Sequence, residues 1–312
     1  MMRGSRSGVG SRSGWTRREI LSSLAVVPLA LELTSGPALA AAGTRPGTGP
    51  GAGPADLTRV VCIGGVITEI VYALGMDRHV VAVDSSSLYP PAALAAKQSV
   101  GYMRRLSPEG VLALRPSLIL ASEDSGPPEA VEVLTASRIP VLFVDSKPTP
   151  EAVAGRVRRL ADVFGVPEEG ERLCRRIEAE FLDLVAWTRA HPSGKRVVFL
   201  LSMQNDRPVV AGRGTAADAI IGLAGGVNVG SAMEGYKPVS DEALTAMAPD
   251  VVLVMDHAGP GVTDDVLDHP GLRQTVAGRR RALIRMDGAY LLAFGPRTAA
   301  AALDLAQRLA AV

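Results

Sequence analysis

Short apolar runs alternate with amphipathic stretches along most of the chain. Arg59–Ile63 is a buried-strand pattern that ends in a glycine pair, and the segment TEIVYALG after it has helical periodicity. Similar apolar runs recur as VVAVD, SLILA and PVLFVD, with the helical stretch SPEGVLAL and a helix from Pro127 to about Ser137 between them. Because short strands that alternate with helices are typical of βα units, the pattern predicts an α/β fold with parallel sheets.

This alternation stops between residues 150 and 190 and then resumes. The segments EAVAGRVRRLADVFGV and EEGERLCRRIEAEFLDLVAWTRA have helical periodicity with no strand pattern between them. Beyond them KRVVF repeats the pattern of TRVVC, TAADAIIGLAGG that of ITEIVYALG, and VVLVMD that of SLILAS. We therefore predict two Rossmann-like α/β lobes with central sheets, joined by a single long α-helix. The predicted boundaries are residues 57–146 for the N-terminal lobe, 147–192 for the helical segment with the inter-lobe helix, and 193–312 for the C-terminal lobe.

One stretch occurs twice, which supports two lobes of similar design. GYMRRLSPEGVLALRPSLIL in the first half has an imperfect copy, GYKPVSDEALTAMAPDVVL, in the second half. From Ser107 and Ser240 onward the copies run in register, and each carries a glutamate two residues later, Glu109 and Glu242. Serine followed by proline or an acidic residue is typical of helix starts. One interpretation of both glutamates is therefore that they only begin helices.

The first part of the chain has the pattern of an export signal. In residues 1–40 an arginine pair precedes the apolar run ILSSLAVVPLAL, and the sequence ALA at 38–40 supplies the small residues that a signal peptidase needs. The apolar run is too short to span a bilayer comfortably. The arginine pair is typical of a twin-arginine signal, with an ordinary secretory signal as the alternative. The Gly/Pro-rich residues 41–56 are predicted to form a flexible tether.

Composition narrows the functional classes. Without residues 1–40 the chain keeps 28 basic and 30 acidic residues, a net charge of −2 that gives no reason to expect a nucleic-acid partner. Cys62 lies in an apolar run and Cys174 in a helical pattern, so two buried thiols are expected. The histidines are few and scattered, which disfavours a zinc or manganese carrier, since such sites need several ligands together. They are His79, His191, His257 and His269.

Several motifs carry a family resemblance. VGYMRRLSPEGVLALRPSLILA is followed by Gly126-Pro127-Pro128, and VVAGRGTAADAIIGLAGGVN is followed by MEGYKPVSDEAL. They resemble the haem-binding branch of the class III periplasmic substrate-binding proteins of ABC importers, from Arg59 to the C-terminus. The resemblance implies a periplasmic or otherwise extracytoplasmic binding protein, not an enzyme, that captures haem between two lobes for haem and iron uptake. The implied partners are haem, as the transported ligand, and an ABC permease dimer with its ATPase in the membrane.

Haem needs an apolar slot, an axial iron ligand and cations for its propionates. The resemblance makes Tyr102 the iron ligand and Arg104 its partner. If this segment is extended, Arg104 points to the same side as Tyr102, and its guanidinium favours the phenolate that suits Fe(III). Met103 is expected to contact the ligand, with core packing as the alternative. Tyr236, in the paired GY, is expected on the opposite wall of the cleft, and for Tyr102 a half-buried structural role remains the alternative.

Some haem carriers of this branch add a histidine near the strand that here is VVFLLSMQNDRPVV. This chain has Met203, Gln204 and Asn205 there instead, so one haem held by Tyr102 alone is expected. Arg213, in a turn between a strand and a helix, is the favoured propionate contact. The other cationic candidates are Lys97, Arg105, Arg207 and Arg297.

The resemblance also gives the repeated glutamates a role. In these importers one glutamate on each lobe pairs with arginines of the two permease subunits, and Glu109 and Glu242 occupy the matching positions. Since a two-fold transporter needs a two-fold ligand, the repeat is then a docking symmetry.

Two other functions stay open. A siderophore or cobalamin carrier of the same class is the main alternative, although aromatic residues make up only 4% of the chain. A weaker alternative is an exported NAD(P)-dependent oxidoreductase, because Gly212–Ala217 fits G-x-G-x-x-A between a strand and a helix. No catalytic histidine pattern, paired acids or G-x-S-x-G elbow accompanies that motif.

Overall fold

The computed structural model describes residues 56–204, 207–256 and 262–312. The predicted export signal, residues 1–40, and all but the last residue of the predicted tether lie outside the described residues. The described chain belongs to one compact unit that contains two sheets. No described helix is long and apolar enough to cross a membrane.

The N-terminal lobe is a parallel sheet flanked by helices. Its strands are β1 (Val60–Ile63), β2 (Val80–Val83), β3 (Gln98–Ser99), β4 (Leu118–Ser122) and β5 (Val141–Val144). Its helices are α1 (Gly65–Ala73), α2 (Ala92–Ala96), α3 (Pro108–Leu112) and α4 (Pro128–Ala136). The strand order is β3-β2-β1-β4-β5, and every neighbouring pair is parallel. The central strand β1 is fully buried, because helices cover both faces of such a sheet.

Two helices, α5 (Pro150–Phe164) and α6 (Pro167–Ala190), join the lobes. Gly165 ends α5 with a left-handed φ of 68°, and Pro167 begins α6. The buried residues of α6 include Leu173, Ile177 and Leu184, which lie on one face of the helix. The long inter-lobe helix is therefore α6, and a second helix precedes it.

The C-terminal lobe has the same plan with one added strand. Its strands are β6 (Arg196–Gln204), β7 (Arg207–Ala211), β8 (Val227–Asn228), β9 (Tyr236–Pro238), β10 (Val251–Asp256) and β11 (Leu283–Asp287). Its helices are α7 (Ala216–Leu223), α8 (Asp241–Ala246), α9 (Val276–Arg280), α10 (Gly288–Leu292) and α11 (Thr298–Ala311). The order is β11-β10-β6-β7-β9, with β8 also paired to β6.

The added strand, β7, departs from the purely parallel pattern. The apolar run VVFLLSMQNDRPVV divides into β6 and β7, which pair antiparallel, and β9 pairs antiparallel with the other edge of β7. The polar residues in the middle of the run make the hairpin possible, since they break the strand where the chain reverses. The remaining pairs of the sheet, β6 with β8, β6 with β10 and β10 with β11, are parallel as predicted.

The repeated stretch has the same local structure in both lobes. Ser107 caps α3 and Ser240 caps α8, and each hydroxyl accepts a hydrogen bond of 3.3 Å from the amide three residues on. Beyond the other end of each helix, the guanidinium of Arg59, just before β1, or of Arg196, at the start of β6, donates to two carbonyl groups that follow the helix. The duplication therefore extends to side-chain contacts.

Polar contacts and a shared core connect the lobes. Glu69 on α1, which is buried, accepts two hydrogen bonds of 3.0 Å from the guanidinium of Arg297, and this guanidinium lies 3.6 Å from the centroid of the Tyr89 ring. Arg156 on α5 donates to the Phe294 carbonyl at 2.6 Å. One hydrophobic cluster includes residues of β1, α6, β6 and α11. These contacts restrict how far one lobe can move against the other.

Candidate functional site

In the N-terminal lobe, a turn at the carboxyl end of the sheet carries Tyr102. After β3 the chain passes through Gly101, whose φ is 86°, and the Arg105 amide donates to the Tyr102 carbonyl at 2.8 Å. This bond closes a β-turn. The segment is therefore a turn and not extended, because Gly101 redirects the backbone and the turn forms directly after it. Strand alternation does not place Arg104 beside Tyr102.

Both ends of the peptide unit between Tyr102 and Met103 are hydrogen-bonded. The Met103 amide donates to Asp84 Oδ2 at 3.2 Å, and the Tyr102 carbonyl accepts the turn hydrogen bond. The next peptide is also anchored, since the Met103 carbonyl accepts from the Gly126 amide at 2.9 Å. Met103 packs into the lobe as a partly buried residue, whereas Tyr102 is 46% exposed. The turn thus presents the phenol at the surface on a fixed backbone.

Arg104 belongs to the same turn as Tyr102. Its guanidinium lies 3.8 Å from Asp124, and both side chains are exposed, so this ion pair is weak. Burial raises the pKa of the Tyr236 phenol, and the charge of Arg104 offsets this in part, so the turn and the second GY segment lie within electrostatic reach of each other.

Tyr236 begins β9 at the edge of the C-terminal sheet. Its ring lies 6.5 Å from that of Phe199, in a tilted arrangement. Burial raises the pKa of the Tyr236 phenol above its ordinary value, and hydrogen bonds to Thr215 and to the Ala217 backbone, with the charge of Arg104, offset this only in part. Tyr236 is therefore a neutral phenol at physiological pH.

The glycine-rich loop before α7 has its amide groups occupied. The amides of Gly212 and Arg213 donate to carbonyls in residues 233–235, and the Gly214 amide donates to Asp218 Oδ2 at 3.2 Å. A pyrophosphate would need these amides free. The preceding strand β7 is also antiparallel to its neighbours, whereas the dinucleotide fingerprint belongs to a parallel βαβ unit. This geometry does not favour a dinucleotide site.

The Arg213 side chain lies beside the start of β9. It donates to the Ala232 carbonyl and to Glu234 Oε2, each at 3.3 Å, and it remains more than half exposed. Glu234 is itself largely exposed, so a ligand anion can compete for the guanidinium.

The other cationic candidates divide into two groups. Arg105 and Arg207 are exposed. Lys97 donates to the Asp77 carbonyl at 2.9 Å, at the amino end of β2 and away from the turn, and Arg297 is occupied by Glu69. The expectation that Lys97 and Arg297 are available to propionates is therefore wrong.

The described histidines have structural partners. His79 lies 2.9 Å from the Leu57 carbonyl, and His191 stacks on Trp187. His269 lies 3.7 Å from Asp241 near the start of α8, and His257 is outside the described residues. Within the part of the chain that the structure describes, no group of three or more His, Cys, Asp or Glu side chains could hold a metal ion.

Of Met203, Gln204 and Asn205, at the end of β6 and just after it, the structure describes the side chain of Met203 only. Met203 is partly buried and packs against the core of the C-terminal lobe. The Gln204 side chain and Asn205 lie outside the described residues.

The repeated glutamates lie in the first turns of α3 and α8. Both are exposed, and the Ser107 hydroxyl donates to Glu109 at 3.2 Å. Hydrogen bonds from Ser240 and from its own amide lower the pKa of Glu242. Two exposed carboxylates therefore stand at equivalent positions, one on each lobe, close to the two GY segments.

Two cavities lie beside the inter-lobe helix rather than at the tyrosines. One of about 490 Å³ lies between α1, α6 and the start of α11, and one of about 630 Å³ lies between α1 and α6. Neither is lined by Tyr102 or Tyr236. Tyr102 and Tyr236 are both exposed to solvent.

The arrangement of two linked lobes with paired cleft segments has counterparts among known proteins. Residues 60–290 match the model of the family named periplasmic binding protein. The chain belongs to this family. Its members are solute-binding proteins of transport, and the predicted family and its two-lobed α/β fold are confirmed.

Solved periplasmic binding proteins with similar structures include haem binders. The haem-binding protein BhuT in complex with two hemes has a TM-score of 0.77 and 37% identity over 81% of this chain and 98% of that one. The haem-binding protein RhuT from Roseiflexus sp. RS-1, in apo form, has a TM-score of 0.76 and 40% identity, with the same shares covered.

Similar curated proteins are named for a different ligand, vitamin B12. The vitamin B12-binding protein of Pectobacterium atrosepticum is 28% identical over 199 residues, which are 63% of this chain and 71% of the relative. The comparisons therefore define a periplasmic binding protein of the haem, cobalamin and siderophore class.

The sequence reasoning missed two buried carboxylates of this periplasmic binding protein. Asp84 ends the run VVAVD, and Glu69 lies in the helical stretch TEIVYALG. An acidic residue directly after a buried strand was the available signal for Asp84, because such positions lie at the carboxyl edge of a parallel sheet. Glu69 gave no comparable signal, since its partner is 228 residues away in the sequence.

Proposed function

We propose that this periplasmic binding protein captures haem between its lobes and delivers it to an ABC permease, with Tyr102 as the ligand of the haem iron. The observation that carries the proposal is the exposed phenol of Tyr102 on a turn whose backbone is fixed by hydrogen bonds. The similarity to haem-binding structures at 37% and 40% identity supports the same ligand. In this role the protein binds and releases its cargo without a catalytic step.

The choice of Tyr102 over Tyr236 rests on their surroundings. Tyr236 is the less exposed of the two, and its phenol is kept neutral by burial. Coordination of Fe(III) by tyrosine requires the phenolate, and burial opposes that form. Tyr236 is therefore assigned to the apolar wall that faces the porphyrin.

Cations near the cleft suit the propionates of haem. Arg104 and Arg105 belong to the Tyr102 turn, and Arg213 lies beside β9. The existing contacts of Arg104 and Arg213 are with exposed acidic groups and a backbone carbonyl, so both guanidinium groups can also donate hydrogen bonds to a ligand carboxylate. Met103 contributes packing under the turn and a contact with the porphyrin edge.

Delivery is assigned to the paired glutamates. Glu109 and Glu242 are exposed at equivalent helix starts, and such carboxylates can pair with arginines of a two-fold permease dimer. Export by the twin-arginine signal in residues 1–40 would bring the protein to the outer side of the membrane that holds this permease.

A cobalamin carrier is the second candidate, because the curated relatives bind vitamin B12. The two are distinguished by titrating the protein separately with haemin and with cyanocobalamin, followed by absorbance and by calorimetry. We expect saturation with one equivalent of haemin and no saturable binding of cyanocobalamin. Saturation by cyanocobalamin alone would mean that cobalamin, not haem, is the transported ligand. If neither compound binds, ferric siderophores become the next ligands to test.

A further inference from the structure

Asp84 is a fully buried carboxylate at the carboxyl end of β2. Its Oδ1 accepts hydrogen bonds from the Gly64 amide at 2.9 Å and from the Ser87 hydroxyl at 3.1 Å. Its Oδ2 accepts from the Ser86 amide at 3.0 Å and from the Met103 amide at 3.2 Å. Among the described residues no cation forms an ion pair with it, so these four donors stabilise the buried group.

The four donors come from three separate segments of the cleft edge. Gly64 is the N-cap of α1, Ser86 and Ser87 belong to the loop after β2, and Met103 belongs to the Tyr102 turn. The loop and the turn are also joined directly, since the Ser85 amide donates to the Gly101 carbonyl at 2.7 Å.

We propose that Asp84 is a positioning residue for the ligand site, whose carboxylate aims Tyr102 at the haem iron by holding the Tyr102–Met103 peptide. This inference rests on the proposed role of Tyr102. Asp84 itself touches neither haem nor iron in this account.

The geometry of the peptide unit explains how a buried carboxylate can direct an exposed side chain. The N–H of this unit is held by Asp84 and its C=O by the Arg105 amide. Because a peptide unit is planar, fixing both groups fixes its orientation, and the Ser85 amide holds the carbonyl of the preceding peptide unit. With the peptide units on both sides of Tyr102 held, the Cα–Cβ direction of Tyr102 is fixed as well. The phenol then needs few further restraints to reach one position over the iron, and little ordering is required when haem binds.

Among the residues that the structure describes, no comparable carboxylate holds the other tyrosine. Tyr236 lies on β9, which is fixed by antiparallel pairing with β7. A residue on a strand edge is suited to packing against the porphyrin, whereas a residue on a turn that is anchored by a buried carboxylate is suited to coordinating the iron in one orientation. The backbone of each tyrosine is therefore held in the way that its proposed role requires.

The test compares Asp84→Asn with Thr275→Ala in the full-length protein. The asparagine keeps the size of the side chain but replaces one acceptor oxygen by an NH₂ group, which faces N–H donors. Thr275 is a buried cap of α9 in the other lobe, so its loss lowers stability without touching the turn. Both variants are loaded with haemin, and the tyrosinate charge-transfer band and the rate of haem release to apomyoglobin are recorded.

We expect Asp84→Asn to weaken or shift the charge-transfer band and to speed haem release about 10-fold or more, as is typical when an outer partner of a metal ligand is lost. Thr275→Ala should leave both unchanged while lowering the melting temperature. A folded Asp84→Asn protein with the wild-type band and release rate would overturn the proposal.

A second measurement on the unmodified protein needs neither a variant nor haem. Hydrogen exchange in the absence of ligand should show the Met103 amide protected like amides of the core strands, although its turn is at the surface. Rapid exchange of this amide would contradict the positioning role. If the wild type binds no haem, the proposed function fails, and the exchange of Met103 still decides whether Asp84 fixes the turn.

Discussion

At the scale of single residues, Gly212 shows how a motif can be mistaken for a cofactor site. A Cβ at this position would lie 2.5 Å from the Met233 carbonyl oxygen and 2.8 Å from that of Gly235. Both contacts are with backbone, which cannot move aside as a flexible side chain can. The glycine is therefore required by the close approach of β7 and the segment before β9.

We predict that Gly212→Ala lowers the free energy of unfolding by about 1–3 kcal/mol, as overpacking of a rigid site does. Urea denaturation measures this directly. Gly222→Ala is the matched control, since Gly222 lies in α7 with nothing within 4 Å of an added Cβ. That variant should be stabilised by about 0.5–1 kcal/mol, because alanine is the better helix former. Equal effects in the two variants would contradict the packing explanation.

At the level of elements, α3 and α8 share three features: a serine cap, a glutamate in the first turn and an arginine that binds the carbonyls after the helix. Their serines use the same cap hydrogen bond, and an arginine at or just before the start of the first strand of each lobe holds carbonyls that follow the helix. Selection for stable helices explains the serines. It does not explain an exposed glutamate at the same position in both lobes.

We predict that Glu109→Gln and Glu242→Gln each reduce the haem-stimulated ATPase activity of the permease in proteoliposomes, and that the double variant loses most of it. Removing either charge leaves one half of a two-fold interface unpaired. Haem affinity should not change, because neither residue belongs to the cleft.

The control for docking is Glu129→Gln. Glu129 is also exposed in the first turn of a helix of the N-terminal lobe, α4, but belongs to no repeated stretch. Its replacement should leave ATPase stimulation intact. Full stimulation by the Glu109 and Glu242 double variant would contradict the docking assignment and leave both as helix-start residues.

At the scale of the whole molecule, the Glu69–Arg297 pair joins the lobes at a buried point. Glu69 is buried on α1, and Arg297 precedes α11 and stacks on Tyr89. With the shared hydrophobic cluster, this contact restricts movement of one lobe against the other.

We predict that Glu69→Gln lowers the free energy of unfolding by about 1–3 kcal/mol, because a buried guanidinium hydrogen bond loses its charged acceptor. Arg297→Gln should have a similar effect. The double variant should be less destabilised than the sum of the two, which denaturation in a double-mutant cycle measures. Additive effects would mean that the two residues do not couple the lobes.

Much of this architecture could be predicted from the sequence, because strand and helix periods are local signals. The two lobes, the inter-lobe helix and the helix starts at Ser107 and Ser240 are present as predicted. The turn at Tyr102 was missed, because it depends on Gly101 and on a hydrogen bond to Asp84 from a different segment. The hairpin of β6 and β7 was missed because both strands lie within one continuous β-rich run. Contacts between distant residues decide such details, and a single sequence does not encode them in any local pattern.

The most direct test of the central claim is a haemin titration of Tyr102→Phe beside Tyr236→Phe, each compared with the wild type. Phenylalanine keeps the ring and removes only the hydroxyl, so the pair separates coordination from packing. We predict that Tyr102→Phe loses the tyrosinate charge-transfer band and binds haemin far more weakly, whereas Tyr236→Phe keeps the band. The opposite pattern, with the band lost only in Tyr236→Phe, would contradict the assignment of Tyr102 as the iron ligand.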